Sequence, residues 1–468
     1  MTSLHYCSIA QIIELIRVKK ISPLELCDAQ LDRISSLQPR LNAFVHLDGE
    51  AARAAAKSAT EQLAQNKPCG RLHGIPLTVK SCIEVAGWPT PAGSLLRKEE
   101  SPSRSAPIVE RLRAAGATLV GNTNTPEFLM AYETDSRVSG RTINPWNLEY
   151  SSGGSSGGEA AAIASGCSFG GIGSDGGGSI RVPAHFCGIC GLKPTPGRIP
   201  ATGHVPPGNS SFGWIGVVGP MARTASDLRV LFNVLAGPEP GDPFSVPAPI
   251  QRIPPETLRG LRIGILDCSS VGPATPESLA AVTRAGKLLE QSDFRVEPFR
   301  FHSLDHALEL WWFFFGPVIA QLFAQQIAGK ESQLSPIFLD YLEAARPEAP
   351  ITMLDFIAKS AARDFERARI LKAIENFDVL LSPVSSAPAF LNGEGTWRSP
   401  SGYRETMRHA QLLNLAGLPG LSLPISNSAE GLPIGVQLIG HPFSEEVLIS
   451  VAETLELARG SWQRPPLV

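Results

Sequence analysis

With 468 residues, 43% of them hydrophobic and 18% charged, the chain can bury a sizeable core and is not a disordered polymer. A formal net charge of -3 supplies neither a basic excess to draw nucleic acid nor an acidic tail. The eight cysteines are scattered, and a chain this long needs no disulfide staples, so a reducing cytoplasm is expected.

The N-terminus lacks the basic and apolar regions of a signal peptide. Ser8 can cap a helix whose Ile9, Ile12, Ile13 and Ile16 follow helical spacing. Ser22-Pro23-Leu24-Glu25 reads as a capping box with proline at the first helical position; Leu24, Cys27, Leu31 and Ile34 form the apolar face. An Ala-rich helix is predicted over 49–64. A short buried strand over 75–79 delivers Lys80 at its end, Pro107 opens another helix, and a strand follows over 117–120. This alternation predicts an α/β fold with a central mixed twisted sheet flanked by helices. Residues 237–255 are Pro-rich and read as an excursion within a single domain spanning 1–468. The apolar run 310–320, with Trp311, Trp312, Phe313, Phe314 and Phe315, is too short to span a bilayer, which needs ~20 apolar residues.

Glycine concentrates in two places. Gly153-Gly154-Ser155-Ser156-Gly157-Gly158 precedes an Ala-rich helical run, and Gly176-Gly177-Gly178 precedes Ser179. Such density weakens any regular element, unless backbone must approach a ligand. N–H groups of Gly176, Gly177 and Gly178, unobstructed by side chains, suit an oxyanion hole. Lys80, adjoining an apolar strand, would be partly desolvated and able to lose its proton. Read alone, each feature also fits a plain structural role: a glycine turn, a serine cap, a lysine snorkelling from a strand end.

Taken together, these segments resemble the amidase signature family. The matching residues are Gly74-Ile75-Pro76 through Lys80, the glycine–serine run around Ser155, and Asp175 through Ser179-Ile180-Arg181-Val182-Pro183. Asn144-Pro145-Trp146, Phe186-Cys187-Gly188, Gly191 to Thr195, Gly219 to Thr224, Asn414 to Pro419 and Gly431 to Leu438 extend the likeness over nearly the whole chain. It is weakest over 240–375, the variable region where substrate pockets diverge.

The resemblance implies a Ser–Ser–Lys triad. Ser179 would attack the carbonyl, Ser155 (on a cis peptide bond) would relay the proton, and Lys80 would act as base. It implies no cofactor and no metal. Leu129, Met130 and Ala131 match positions beside the catalytic centre, where an apolar wall would bind substrate. There are departures: Ser174 stands for the usual Thr, Ser81 for a frequent Asp, and Gly176 for a commonly larger residue, which loosens the loop.

Other signals carry less. Gly153-x-Ser155-x-Gly157 fits the nucleophile elbow of α/β-hydrolases, with His441 as a late histidine, but no strand is predicted before it. Cys187-Gly188-Ile189-Cys190 has no second pair and no histidine at ligand spacing. The 311–315 cluster reads first as a buried core helix and second as an acyl pocket.

The leading expectation is a stand-alone amidase cleaving a carboxylic acid amide, ester or carbamate. Its partners would be a small-molecule amide substrate and water, with no nucleic acid, no membrane and a homodimer as in many relatives. The second reading is the amide-cleaving component of a tRNA-dependent amidotransferase, ranked lower because residues 196–204 do not resemble that component's counterpart. A non-catalytic binding role is third, disfavoured by retention of all three catalytic positions.

Overall fold

The computed structural model describes residues 4–207, 213, 215–399 and 401–467. The predicted cap at Ser8 and the predicted capping box at Ser22 both form, and Ser8 with Gln11 makes a capping box as well. Ser8 accepts from the Gln11 N–H at the start of α1 (Ile9–Arg17), and Ser22 from the Glu25 N–H at the start of α2 (Pro23–Leu41). The Ala-rich segment is α3 (Gly49–Ala64), capped by Asp48, and Pro107 opens α4 (Pro107–Ala114). Two short helices, α5 (Gly157–Ala164) and α6 (Arg181–Cys187), each follow a glycine-rich segment. The later helices are α7 (Ala225–Leu235), α8 (Pro276–Glu290), α9 (Asp305–Phe313), α10 (Ile319–Ile327), α11 (Pro336–Ala344), α12 (Met353–Ile374), α13 (Tyr403–Thr406), α14 (Arg408–Ala416) and α15 (Glu445–Arg459).

The strands are β1 (Phe44–Leu47), β2 (Pro76–Lys80), β3 (Thr118–Thr123), β4 (Asp135–Ser136), β5 (Gly140–Arg141), β6 (Gly170–Asp175), β7 (Cys190–Lys193), β8 (Val217–Ala222), β9 (Arg262–Leu266), β10 (Arg295–Phe299), β11 (Val379–Pro383), β12 (Gly420–Asn427) and β13 (Pro433–Gly440). All but β4 and β5 join one 11-stranded sheet in the order β1-β3-β2-β6-β8-β7-β12-β13-β11-β9-β10. It is mixed: β2 runs parallel to β3 and β6, and β9 to β10 and β11, while the pairs from β6 through β8, β7, β12 and β13 to β11 are antiparallel. The fold is therefore α/β, a central mixed sheet flanked by helices. The strand read over 117–120 runs on to Thr123, because both of its edges are paired, to β1 and to β2.

The aromatic run lies in one longer helical stretch. Asp305–Ile327 continues from α9 through a π-turn (Phe314–Val318) into α10, with Pro317 removing one backbone donor within the turn. By length and composition this stretch is long enough to cross a membrane, which corrects the reading of its core as too short. Half of its most apolar window is buried inside the protein, and α9 packs on α12 and α14. Trp311, Trp312, Phe314 and Phe315 sit in the apolar cluster on that side of the sheet. The Pro-rich stretch forms no helix or strand before Pro255. It is tied down by Arg111, which donates to the carbonyls of Leu235, Gly237 and Pro238, and by Arg198, which reaches those of Ala248 and Pro249.

Candidate functional site

The site lies where two parallel central strands end side by side. In β2 and β6, Thr78 pairs with Gly171 and Val79 with Ile172, so Lys80 and the Ser174–Asp175 end of β6 emerge at the same edge of the sheet. Ligands commonly bind at the carboxyl ends of parallel strands. Every residue of β2 is buried, Lys80 included at 0% exposure.

Three serine hydroxyls surround the Lys80 amine. Its Nζ donates to Ser155 Oγ at 2.7 Å, to Ser156 Oγ at 2.9 Å and to Ser174 Oγ at 3.1 Å. An ammonium has three donors and no acceptor, so the three oxygens match it one for one. Loss of one proton leaves a lone pair facing a hydroxyl that can then donate. Burial pushes Lys80 down to about 8, against opposing pulls from Cys82, Asp175 and Glu159. Glu159 is itself pushed up to about 7 by burial, although the hydroxyls of Thr78 and Thr123 both donate to it.

Ser155 follows a cis Gly154–Ser155 peptide. Its carbonyl accepts from Thr125 Oγ1 at 2.8 Å. Gly154 has to be a glycine: a Cβ there would lie 2.6 Å from the Ala131 carbonyl oxygen. Ser156 occupies the N-cap of α5 but makes no side-chain cap. Its hydroxyl instead accepts from Lys80 and from the Ser174 N–H. The Ser156 N–H donates to the Ser179 carbonyl at 3.1 Å, which ties the two glycine-rich segments together. Ser179 is 7% exposed.

Behind Lys80 the polar chain continues. Ser174 Oγ lies 3.7 Å from Cys82 Sγ, and that sulfur lies 3.5 Å from His204 Nε2. On the other flank, Asp175 and Arg181 form an ion pair, both 0% exposed. Burial alone would raise the Asp175 carboxyl; Arg181, Lys193 and Asn414 outweigh it and hold it at about 2.

The sequence reading named Gly176, Gly177 and Gly178 as oxyanion donors, and the third needs correction. The Gly178 N–H donates to Asp175 Oδ1 at 2.7 Å and is committed there. The N–H groups of Gly176, Gly177 and Ser179 have no hydrogen-bond partner among the described residues. Leu129, Met130 and Ala131 also separate. All three are buried, but Leu129 packs in the apolar cluster with Val79 and Trp88, whereas Met130 and Ala131 join the cluster holding Tyr132 and Trp311. The elbow reading loses its histidine to a local role, since His441 Nε2 is bonded to the Phe377 carbonyl at 2.8 Å. Cys187 and Cys190 are free, buried and turned to different partners, Ser152 O and Glu456.

Some of this constellation was out of reach of sequence reasoning. Ser156 and Ser174 were visible as hydroxyls but not as acceptors for Lys80. Tyr132, whose hydroxyl touches the glycine loop, had no local signal, and Trp311 was visible only as one member of an aromatic run.

Comparison with known proteins gives the class. A profile of the family described as Amidase matches residues 25–449. The chain belongs to that family, the amidase signature enzymes, and it is accordingly an amidase, a hydrolase of carbon–nitrogen amide bonds. Among curated proteins it is similar to the A subunit of the glutamyl-tRNA(Gln) amidotransferase of Roseiflexus castenholzii, 36% identical over 492 aligned positions covering 100% of this chain and 99% of that one. Among solved structures it is similar to a bacterial aryl acylamidase of the amidase signature family (TM-score 0.86, 26% identity, 97% of this chain and 96% of that one). It is also similar to a protein described as part of an unexpected vestigial protein complex that reveals the origins of an s-triazine catabolic enzyme (TM-score 0.87, 29% identity, 96% and 98% covered). The curated relative and the member of a protein complex overturn the expectation of a free-standing chain whose partners are a small-molecule amide and water and which meets no nucleic acid. The curated relative is named as one subunit of an enzyme acting on a tRNA. Net charge is a bulk property and does not by itself exclude such an assembly.

Proposed function

We propose that this chain is the amide-cleaving subunit of an amidotransferase of the kind its curated relative names. The end-to-end match carries the reading: the likeness spans all of this chain and 99% of that relative, including the divergent 240–375 region. In this reading Ser179 attacks the carboxamide carbon and Ser155 passes the proton on. Lys80 receives it and returns it to the leaving nitrogen, and water then hydrolyses the acyl-enzyme. The N–H of Gly177, with that of Ser179, holds the oxyanion. Met130 and Ala131 contribute to the substrate wall. The chain acts as one domain, which the continuity of its sheet from β1 to β10 supports. Eight free cysteines fit a reducing cytoplasm.

Isolation of the tagged chain from its native host tests the assembly. The expected result is a stoichiometric complex with at least one further protein, whose amide-cleaving rate rises when glutamyl-tRNA is added. A chain recovered alone, with a rate indifferent to that RNA, would sink the reading.

The Lys80 assignment has its own pH signature. A protonated amine cannot accept the serine proton, so kcat/KM should fall about tenfold per unit below the Lys80 midpoint and level off above it. With Lys80 pushed down to about 8, the rise should be half complete near that pH. A profile flat from pH 6 to 9 would rule out a lysine of this kind as the base.

A further inference from the structure

A loop of three glycines, Gly176 to Gly178, has no side chains with which to fix its peptide planes. Here two aromatic residues from distant parts of the chain do the fixing. Trp311 Nε1–H donates to the Gly176 carbonyl at 3.0 Å, and the Tyr132 hydroxyl donates to the Gly177 carbonyl at 2.6 Å. Tyr132 is set in turn by Gln411, whose Nε2 donates to the phenol oxygen at 3.3 Å. Trp311 stacks on Phe315 with ring centroids 4.7 Å apart. The loop rests directly on both side chains, for a Cβ on Gly177 would lie 2.5 Å from Trp311 Cζ2 and 2.7 Å from the Tyr132 oxygen.

The consequence follows from peptide geometry. In a planar trans peptide the C=O and the following N–H point in opposite directions. The Gly176 carbonyl faces Trp311, so the Gly177 N–H faces away from it, where it has no partner among the described residues. The Gly177 carbonyl faces Tyr132, so the Gly178 N–H faces the other way and meets Asp175. One clamp frees a donor; the other seats the next donor on the buried carboxylate.

We propose that Trp311 and Tyr132 are positioning residues of this amidase, which orient the Gly176–Gly177 and Gly177–Gly178 peptides and so aim the Gly177 N–H at the oxygen of the tetrahedral intermediate. This rests on Ser179 being the nucleophile. It gives part of the 311–315 cluster a task beyond filling the core. The cluster supports the transition-state end of the site through hydrogen bonds that a Phe at 311 or 132 would lack.

The test uses the protein as purified with whatever chains accompany it. Tyr132→Phe keeps the ring and removes only the hydroxyl, whereas Trp311→Phe keeps an aromatic side chain but removes the donor together with part of the indole surface under Gly177, so Tyr132→Phe is the cleaner of the two probes. The readouts are kcat per active site, KM, and the rate at which an alkyl fluorophosphonate modifies Ser179, since its phosphoryl oxygen must occupy the same donor pocket. Outright loss of an oxyanion donor costs about 10²–10³-fold in kcat. Loss of its support should cost Trp311→Phe about 10- to 100-fold in kcat and in labelling rate, with KM changed less than about threefold and the pH midpoint unmoved. A merely structural role would lower the fraction of active sites and leave kcat per site intact. If kcat per site and labelling rate stay within about twofold of the parent in both variants, or the pH midpoint moves with them, the clamp is wrong. If the parent protein is labelled somewhere other than Ser179, the nucleophile assignment fails instead.

Discussion

Replacement of Ser179 by alanine is expected to lower amide hydrolysis by on the order of 10⁶-fold, the scale on which removal of a serine nucleophile acts when the rest of the site survives. Lys80→Met should cost on the order of 10⁴-fold, because without a base neither serine can be deprotonated near neutral pH. Met is the better probe than Ala at this position. The lysine stem is fully buried in β2, and Met keeps most of its volume while removing the amine. Ser155→Ala should be as damaging to turnover as Lys80→Met, since Ser155 is the nearest hydroxyl to the amine at 2.7 Å. His441→Ala should leave turnover unchanged, as its imidazole serves the Phe377 carbonyl. Steady-state rates with one carboxamide, normalised to folded protein, decide the matter. Retained activity in Ser179→Ala together with its loss in His441→Ala would transfer the nucleophile to Ser155 and make the site a hydrolase elbow.

What the sequence disclosed about this site was whatever lies close together along the chain. The cap at Ser8 and the capping box at Ser22 each occupy a few neighbouring residues, and both form as read. Lys80 ends a run whose apolar character demanded burial, and the two serines sit in glycine-rich segments that lead into α5 and α6. The alternation of strand and helix gave the fold class but not the strand order. That β8 inserts between β6 and β7, or that β1 caps one edge beyond β3, depends on pairings between distant segments, which no local pattern encodes. The same limit hid the partners of the glycine loop. Trp311 and Gly176 are 135 positions apart, and an indole in a run of aromatics looks like core until its Nε1 is seen to have a carbonyl to serve. The Gly178 error has this origin too. Three glycines look equivalent as a string, and only the buried Asp175 carboxylate distinguishes the third from the first two.

That carboxylate is the subject of the second large effect, which falls on stability. Arg181→Met should destabilise the fold by about 3–5 kcal/mol, the usual cost of leaving one member of a buried ion pair without its partner. The arginine is invested on every side. It donates twice to Asp175, at 3.0 Å from both Nε and Nη2, and also to Gln437, Asn414 and the Ala410 carbonyl. It thereby joins the end of β6 to α14 and β13, two elements more than 200 residues further along the chain. Its removal has a definite pH sign. In the parent, Asp175 is held at about 2, below its ordinary value of 3.8, so its stabilising contribution is full at neutral pH, declines as pH drops below that ordinary value and is gone once pH has fallen through about 2. Without Arg181, burial dominates and the carboxyl rises above its ordinary value, so the variant should regain stability as the pH is lowered from 8 towards 5 and Asp175 protonates. The double variant Asp175→Leu/Arg181→Met removes both charges and should recover part of the loss, as apolar replacements of buried pairs commonly do. It should not recover activity, because the Gly178 N–H would have lost the oxygen that seats the loop beside Ser179. Urea unfolding of the three proteins at pH 5 and pH 8 separates these terms. An Arg181→Met protein within about 1 kcal/mol of the parent at pH 8, or one that weakens further on acidification, would show that the pair does not hold the glycine loop to the sheet.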